Sequence, residues 1–242
     1  NPAGATGFSP RISFGVSRLN MFGVGHTAGL QTQASQTRQR ALANYLAPQF
    51  EGYENLSLNF TGLYDFSEDI NTFQSTRAEG SVQMSYRRSR AATARYGYTF
   101  RQTKLRDVKI SEELIPIFAQ AARVGFVSGG YIQDKRDDPL DSTRGSYSAV
   151  EAALASKVFA SQTEYLRLTG RNATYHRVRK EVVIARAFTL GWLHNTARDE
   201  TAKPIPLPER FFSGGTASLR AFPDNQAGQR DPNTGFVIGG QA

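Results

Sequence analysis

The feature that most constrains this chain is an alternation of side-chain character with period two, repeated through nearly every segment. A strand sends successive side chains to opposite faces, so residues of one parity share one surface. Leu56, Leu58, Phe60 and Tyr64 hold one parity, while Ser57, Asn59, Thr61 and Asp65 hold the other. Val82, Met84 and Tyr86 alternate with Ser81, Gln83, Ser85 and Arg87, and Tyr96, Tyr98 and Phe100 with Arg95, Gly97, Thr99 and Arg101. Ile12, Phe14 and Val16 repeat the pattern more briefly. A soluble β-sandwich or small barrel also alternates, but it fills its interior with apolar side chains. The second face here carries Arg, Gln, Ser, Thr and Asp, which suits a wide barrel that is apolar outside and wet inside.

Composition is compatible with that reading. Only 39% of residues are hydrophobic and mean hydropathy is -0.44. No run approaches the roughly 18 uninterrupted apolar residues of a membrane helix, which excludes a helical membrane protein. A membrane barrel is not excluded, because alternate side chains of its strands face a wet lumen. The absence of cysteine excludes disulfides, thiolate catalysis and cysteine-ligated metal. Residues 1–10 show no basic start or apolar run of a signal peptide. A net charge of +8 and a pI near 9.9 raise the question of nucleic acid. The basic residues do not cluster, however: Arg77, Arg87, Arg95, Arg101, Arg167 and Arg171 are spread singly, as a wet lumen wall would place them. Nucleic acid is therefore not an expected partner.

The segments predict an all-β fold of about ten antiparallel strands, near 11–18, 26–35, 39–47, 55–65, 74–87, 92–104, 122–133, 146–157, 163–178 and 181–195. Tight turns are expected at Met21 to Gly25, Arg88 to Ala91 and Arg179 to Lys180. Longer loops are expected at Asp65 to Phe73, Asp107 to Ala121 and from Ala197 onward. Short turns at one end and long loops at the other are the asymmetry of outer-membrane barrels. The faces of the last two strands stay open, because Arg186 shares a parity with Ile184, Phe188 and Trp192. An alanine-rich stretch with Glu112 and Glu113 predicts a short surface-loop helix over Ile110 to Ala122.

Three stretches are more specific than the alternation. Asn20-Met21-Phe22-Gly23-Val24-Gly25 joins two strands with glycines at turn positions. A second turn runs from Asp134 to Gly145 and contains Asp137, Pro139, Thr143 and Arg144. The third, Pro208 to Phe222, carries Phe211-Phe212-Ser213-Gly214-Gly215 followed by Leu219-Arg220-Ala221-Phe222. Together, and in this order, they resemble the BamA and TamA family of outer-membrane protein assembly barrels, whose relatives include the two-partner-secretion transporters.

The resemblance implies a transmembrane antiparallel barrel of about sixteen strands. About ten of them lie within residues 1–242, together with a lumen loop over 197–238. The first strand, the last strands and the periplasmic POTRA domains are expected outside the chain, and Gly239-Gly240 is expected to begin a further strand. The resemblance further implies that the loop folds back into the lumen and that Arg220 at its tip docks against acidic residues on later strands. Ala221 replaces the family's usual glycine there, which would strain the loop if that position needs a positive φ. For Asp137, Pro139, Thr143, Arg144 and Gly145 the reading preferred is a periplasmic turn held by local Asp and Arg contacts.

Catalysis finds no assembled constellation. His26, His176 and His194 fall in separate strands without metal-ligand spacing. Ser213 lacks the setting of a nucleophile elbow. The pairs Asp137-Asp138 and Glu112-Glu113 are adjacent, and neighbours in extended chain point apart. No catalytic residue, metal or cofactor is expected. What the resemblance implies instead is insertion of other barrel proteins into the outer membrane without a chemical step, with the incoming strand added at a seam between the first and last strands. The expected partners are unfolded outer-membrane proteins, outer-membrane lipids and accessory envelope proteins. The alternative is a pore that secretes one dedicated protein, and after it a passive porin.

Overall fold

A computed structural model describes residues 10–35, 37–68, 73–111, 121–197, 205–215 and 218–241. Ten strands follow one another: β1 (Arg11–Met21), β2 (His26–Ser35), β3 (Arg38–Ala47), β4 (Leu56–Ser67), β5 (Gln74–Ser89), β6 (Ala92–Arg106), β7 (Ala121–Asp134), β8 (Gly145–Ala155), β9 (Tyr165–Arg179) and β10 (Val182–Asn195). Each pairs antiparallel with its neighbours in sequence, giving one sheet in the order β1 to β10. All ten expected strands are present, with ends within three residues of the expected ones. The helix expected over 110–122 falls largely outside the described residues, and Ala121 and Ala122 at its end belong to β7.

The register turns the alternation into two faces. Leu56, Leu58 and Phe60 of β4 lie opposite Tyr86, Met84 and Val82 of β5, while Ser57, Asn59 and Thr61 lie opposite Ser85, Gln83 and Ser81. Val82 and Met84 in turn face Tyr98 and Tyr96 of β6. One face is thus apolar and the other polar, without interruption across these strands. The structure also settles the faces of β9 and β10. Tyr165, Arg167, Gly191 and Leu193 meet the segment that follows β10, so they belong to the polar face. Ile184, Arg186, Phe188, Leu190 and Trp192 then share the apolar one.

The connections depart from a clean asymmetry. Successive links must alternate between the two ends of an antiparallel meander. The end that carries the tight turns after β1, β5 and β9 therefore also carries residues 48–55 and 135–144. The opposite end has a two-residue link at 36–37 beside its long loops. Loop length follows local turn chemistry more than side.

Little of the sheet itself is buried. The apolar cores form where residues 205–215 and 218–241 fold back over the polar face. One joins Phe73, Leu105, Ile110 and Leu207 to Val108, Phe212, Phe236 and Ile238. The other joins Ala122, Val124, Ala155, Tyr165, Leu193 and Ile205 to Phe126 and Phe211.

Candidate functional site

The returning segment begins with a 3-10 turn at Leu207–Glu209 and runs on in extended chain. Extended backbone sends Phe211 and Phe212 to opposite sides. The guanidinium of Arg167 lies 4.8 Å from the centre of the Phe211 ring, and a side chain at Gly191 would collide with that ring. Phe212 meets Phe73 edge to face at 5.9 Å, in the other core. The adjacent aromatics thereby tie the sheet wall to the loops at its long-loop end.

Gly214 (φ 122°) and Gly215 (φ 85°) make the reversal that follows, and a Cβ on either would collide with Pro223 to Gln226 or with Asp224. Bonds from Gly215 N to Phe222 O (2.9 Å) and from Ala227 N to Ser213 O (2.8 Å) close it. Leu219, Arg220 and Phe222 lie on the exposed tip. Ala221 has no positive φ, so the strain conditional on such a backbone does not arise.

The loop is seated by a carboxylate. Glu209 is 2% exposed and accepts hydrogen bonds from Arg101 Nη1 at 2.8 and 3.0 Å and from the Tyr165 hydroxyl at 2.9 Å. Arg167 Nη1 stands 3.9 Å away. Arg101 also holds Glu79 at 2.6 Å through Nε, and Glu79 pairs with Arg77 at 3.2 Å. Two carboxylates therefore sit among three arginines, and Arg101 spans both. A buried carboxylate is tolerated only when paired and fully hydrogen-bonded, which this arrangement provides. Arg210 faces the other way, donating to the carbonyls of Ile205 (3.2 Å) and Ile238 (3.1 Å), and its burial lowers its pKa. Asp231 accepts from Ser111 N, Asn233 N and the Thr234 hydroxyl, which tethers the loop to the β6–β7 connection. The chain then reaches the free edge of β10, where Leu193 N donates to Gln241 O at 2.7 Å.

Of the residues singled out in the loop, Phe211, Phe212, Gly214 and Gly215 pack into the docked part. Leu219, Arg220 and Phe222 do not, and Arg220 forms no ion pair with a described residue. Glu209 stands within the Pro208–Phe222 stretch but carries little signal in the sequence: an acid two residues before the aromatic pair, and arginines at 77, 101 and 167 far away in the chain.

In the β7–β8 turn, Asp137 accepts from Thr143 N (3.0 Å), the Thr143 hydroxyl and Arg144 N (3.0 Å). These bonds, led by that hydroxyl, hold its pKa well below the usual carboxylate range. Gly145 (φ 99°) leaves no room for a Cβ beside the Lys135 carbonyl. The charged clamp belongs to Arg136, not to Arg144. Arg136 grips Asp134 at 2.9 and 2.7 Å, reaches the carbonyl of Pro139 at 3.2 Å and lies over the Tyr147 ring. The histidines stay apart: His26 bonds to the Tyr45 hydroxyl at 2.6 Å, His194 stacks on Trp192 and His176 is exposed on β9.

A meander that is apolar on one side and polar on the other, with a long loop seated on the polar side by buried charge, defines the wall of a wide transmembrane β-barrel with a lumen loop. Residues 20–242 match the Omp85 superfamily domain, and the chain belongs to that family, whose members are β-barrels of the bacterial outer membrane. It is 22% identical over 243 residues to the outer membrane protein assembly factor BamA of Nitratidesulfovibrio vulgaris, covering 98% of this chain and 30% of that protein. It is also 22% identical to BamA of Neisseria meningitidis serogroup B, covering 90% of this chain and 29% of that protein. The crystal structure of BamA from Haemophilus ducreyi lacking POTRA domains 1-3 superposes with a TM-score of 0.82 at 19% identity, covering 96% of this chain and 48% of that one. The chain thus spans less than a third of the length of these curated relatives.

Proposed function

We propose that the whole protein assembles β-barrel proteins into the outer membrane, acting without a chemical step and without ATP. The observation that carries this is the loop: Phe211 and Phe212 pack against the sheet wall and its connections, Gly214 and Gly215 make the reversal behind them, and Glu209 is locked among wall arginines. A passive pore gains nothing from a plug fixed this firmly. The curated relatives are named as assembly factors, which points the same way.

In this reading the polar face is the lumen wall and 197–238 the lumen loop, and Arg220 at its exposed tip docks against acidic side chains on further strands. Such strands also pair the bare edges of β1 and β10, since unpaired strand edges are too costly in hydrocarbon. Clients are unfolded outer-membrane proteins, which enter by adding a strand at a seam. Lipids of the outer membrane and accessory envelope proteins complete the set of partners. Depleting the protein in its host should lower the levels of outer-membrane barrels generally. Unchanged barrel levels with loss of a single secreted protein would overturn assembly in favour of secretion.

A further inference from the structure

Arg186 interrupts the apolar face of β10. It shares its parity with Ile184, Phe188, Leu190 and Trp192, which are 57%, 54%, 66% and 43% exposed. A cation on the lipid face of a barrel costs about 2–4 kcal/mol at the bilayer midplane and about 0–1 near an interface. No described carboxylate pairs with Arg186; its Nε donates to the Thr174 hydroxyl at 2.8 Å. That bond fixes the guanidinium and leaves the terminal nitrogens for something else.

The register shows what surrounds it. Arg186 of β10 lies opposite Thr174 of β9, which lies opposite Ser146 of β8. One row nearer the turns, His176 lies opposite Ile184, and Arg144 continues β8 toward it. Arg144, Ser146, Thr174 and His176 line a cleft of about 420 Å³ whose walls hold no carboxylate. One row the other way, Asn172 donates to the Ser148 hydroxyl at 2.9 Å, so that polar pair is already satisfied. Beyond it the face becomes apolar, with Leu190 opposite Gly170 and Gly170 opposite Val150. The same face of β4 and β5, from Leu56–Tyr86 to Tyr64–Ala78, carries no charge at all. Lys104 and Arg106 of β6 share this face at the opposite, long-loop end, so the basic residues at the tight-turn end of β8–β10 form a cluster of their own.

Its depth selects the ligand. From Arg186 to His194 is eight residues, about 20 Å of membrane normal at ~3.3 Å per residue and a tilt near 40°. Counted from His194, an apolar band about 25 Å tall ends about one row beyond Arg186, at Ile184 and His176, so a long guanidinium stem reaches the headgroup phosphates from just inside the band. We propose that the outer face of β8–β10 near the tight-turn end binds the phosphate of a membrane lipid, with Arg186, His176 and Arg144 as its basic groups and Thr174 and Ser146 as hydroxyl partners. A guanidinium fork flanked by hydroxyls and a second arginine is phosphate-binding chemistry. The inference rests on the family's outer-membrane placement and not on the assembly activity.

The test uses the full-length protein in a neutral detergent, with bound lipid counted by native mass spectrometry. The probes are phosphatidylglycerol and a glucosyl diacylglycerol of the same acyl chains. Phosphatidylglycerol should be retained and the uncharged glycolipid not. R186Q combined with H176Q should weaken retention about tenfold or more, as expected for losing charge-assisted hydrogen bonds. R171Q, on the opposite face, should leave it unchanged, and R186K should fall between. Heat-modifiable gel mobility confirms that each variant is folded, and R186K serves alone if the double variant is not. Retention of both lipids alike, or full retention by the variants, would overturn the proposal. Equal competition by millimolar inorganic phosphate would assign the site to free phosphate and overturn the lipid. A protein co-purifying on this face in exchange for lipid would do the same.

Discussion

Gly145 shows most directly how one residue sets local structure. Its φ of 99° and the nearby Lys135 carbonyl leave no place for a side chain. Gly145→Ala should cost about 1 to 3 kcal/mol in chemical unfolding of the reconstituted protein. Gly23→Ala, at φ 74° in open space, should cost only about 1 kcal/mol. Two carboxylates make the pH dependence predictable. Bonds led by the Thr143 hydroxyl lower the pKa of Asp137, and bonds led by the Ser111 amide bring Asp231 to about 2. A depressed carboxylate contributes stability that is complete above its unfolded pKa of about 3.9 and is lost as pH falls through the folded value. Amide exchange at Ser111 should therefore stay protected down to about pH 4 and lose protection toward about pH 2, and that at Thr143 and Arg144, held by the more strongly depressed Asp137, should be lost at still lower pH. Early loss, near the ordinary carboxylate value, would contradict these bonds.

At the scale of elements, the question is what keeps the loop on the wall. Breaking one partner of a buried ion pair leaves the other uncompensated, at a cost of about 3 to 5 kcal/mol. Glu209→Ala should release the loop by that amount, read as trypsin cleavage after Arg210 in a protein whose strands stay folded. Arg101→Ala should act through the same contact, so the double variant should cost much less than the sum. Additive effects would show that Glu209 and Arg101 do not work as a unit. The loop was only partly legible beforehand. Phe211, Phe212, Gly214 and Gly215 announce themselves by type and spacing, because aromatic pairs and glycine doublets have few uses in a polar loop. Glu209 does not, because its partner Arg101 lies 108 residues away. The clamp in the β7–β8 turn was likewise readable as a turn, but the choice of Arg136 over Arg144 depends on which side chain faces Asp134 and Tyr147.

For the whole molecule, the edges decide behaviour. β1 and β10 have one strand neighbour each, and Gln241 covers β10 with a single bond to Leu193. Residues 1–242 alone should therefore run as an unfolded band at room temperature in heat-modifiable electrophoresis after vesicle reconstitution, whereas the full-length protein should run folded. A folded band from the short chain would mean that ten strands close on themselves. The sequence by itself determined the strands, their order and the division into an apolar and a polar face, because period-two alternation and turn residues are local quantities. Tertiary structure alone decided which face Arg186 occupies, which acid seats the loop and where the basic cluster of β8–β10 assembles. Those outcomes depend on register and on contacts between residues far apart in the chain, and a one-residue slip in register would reverse each of them.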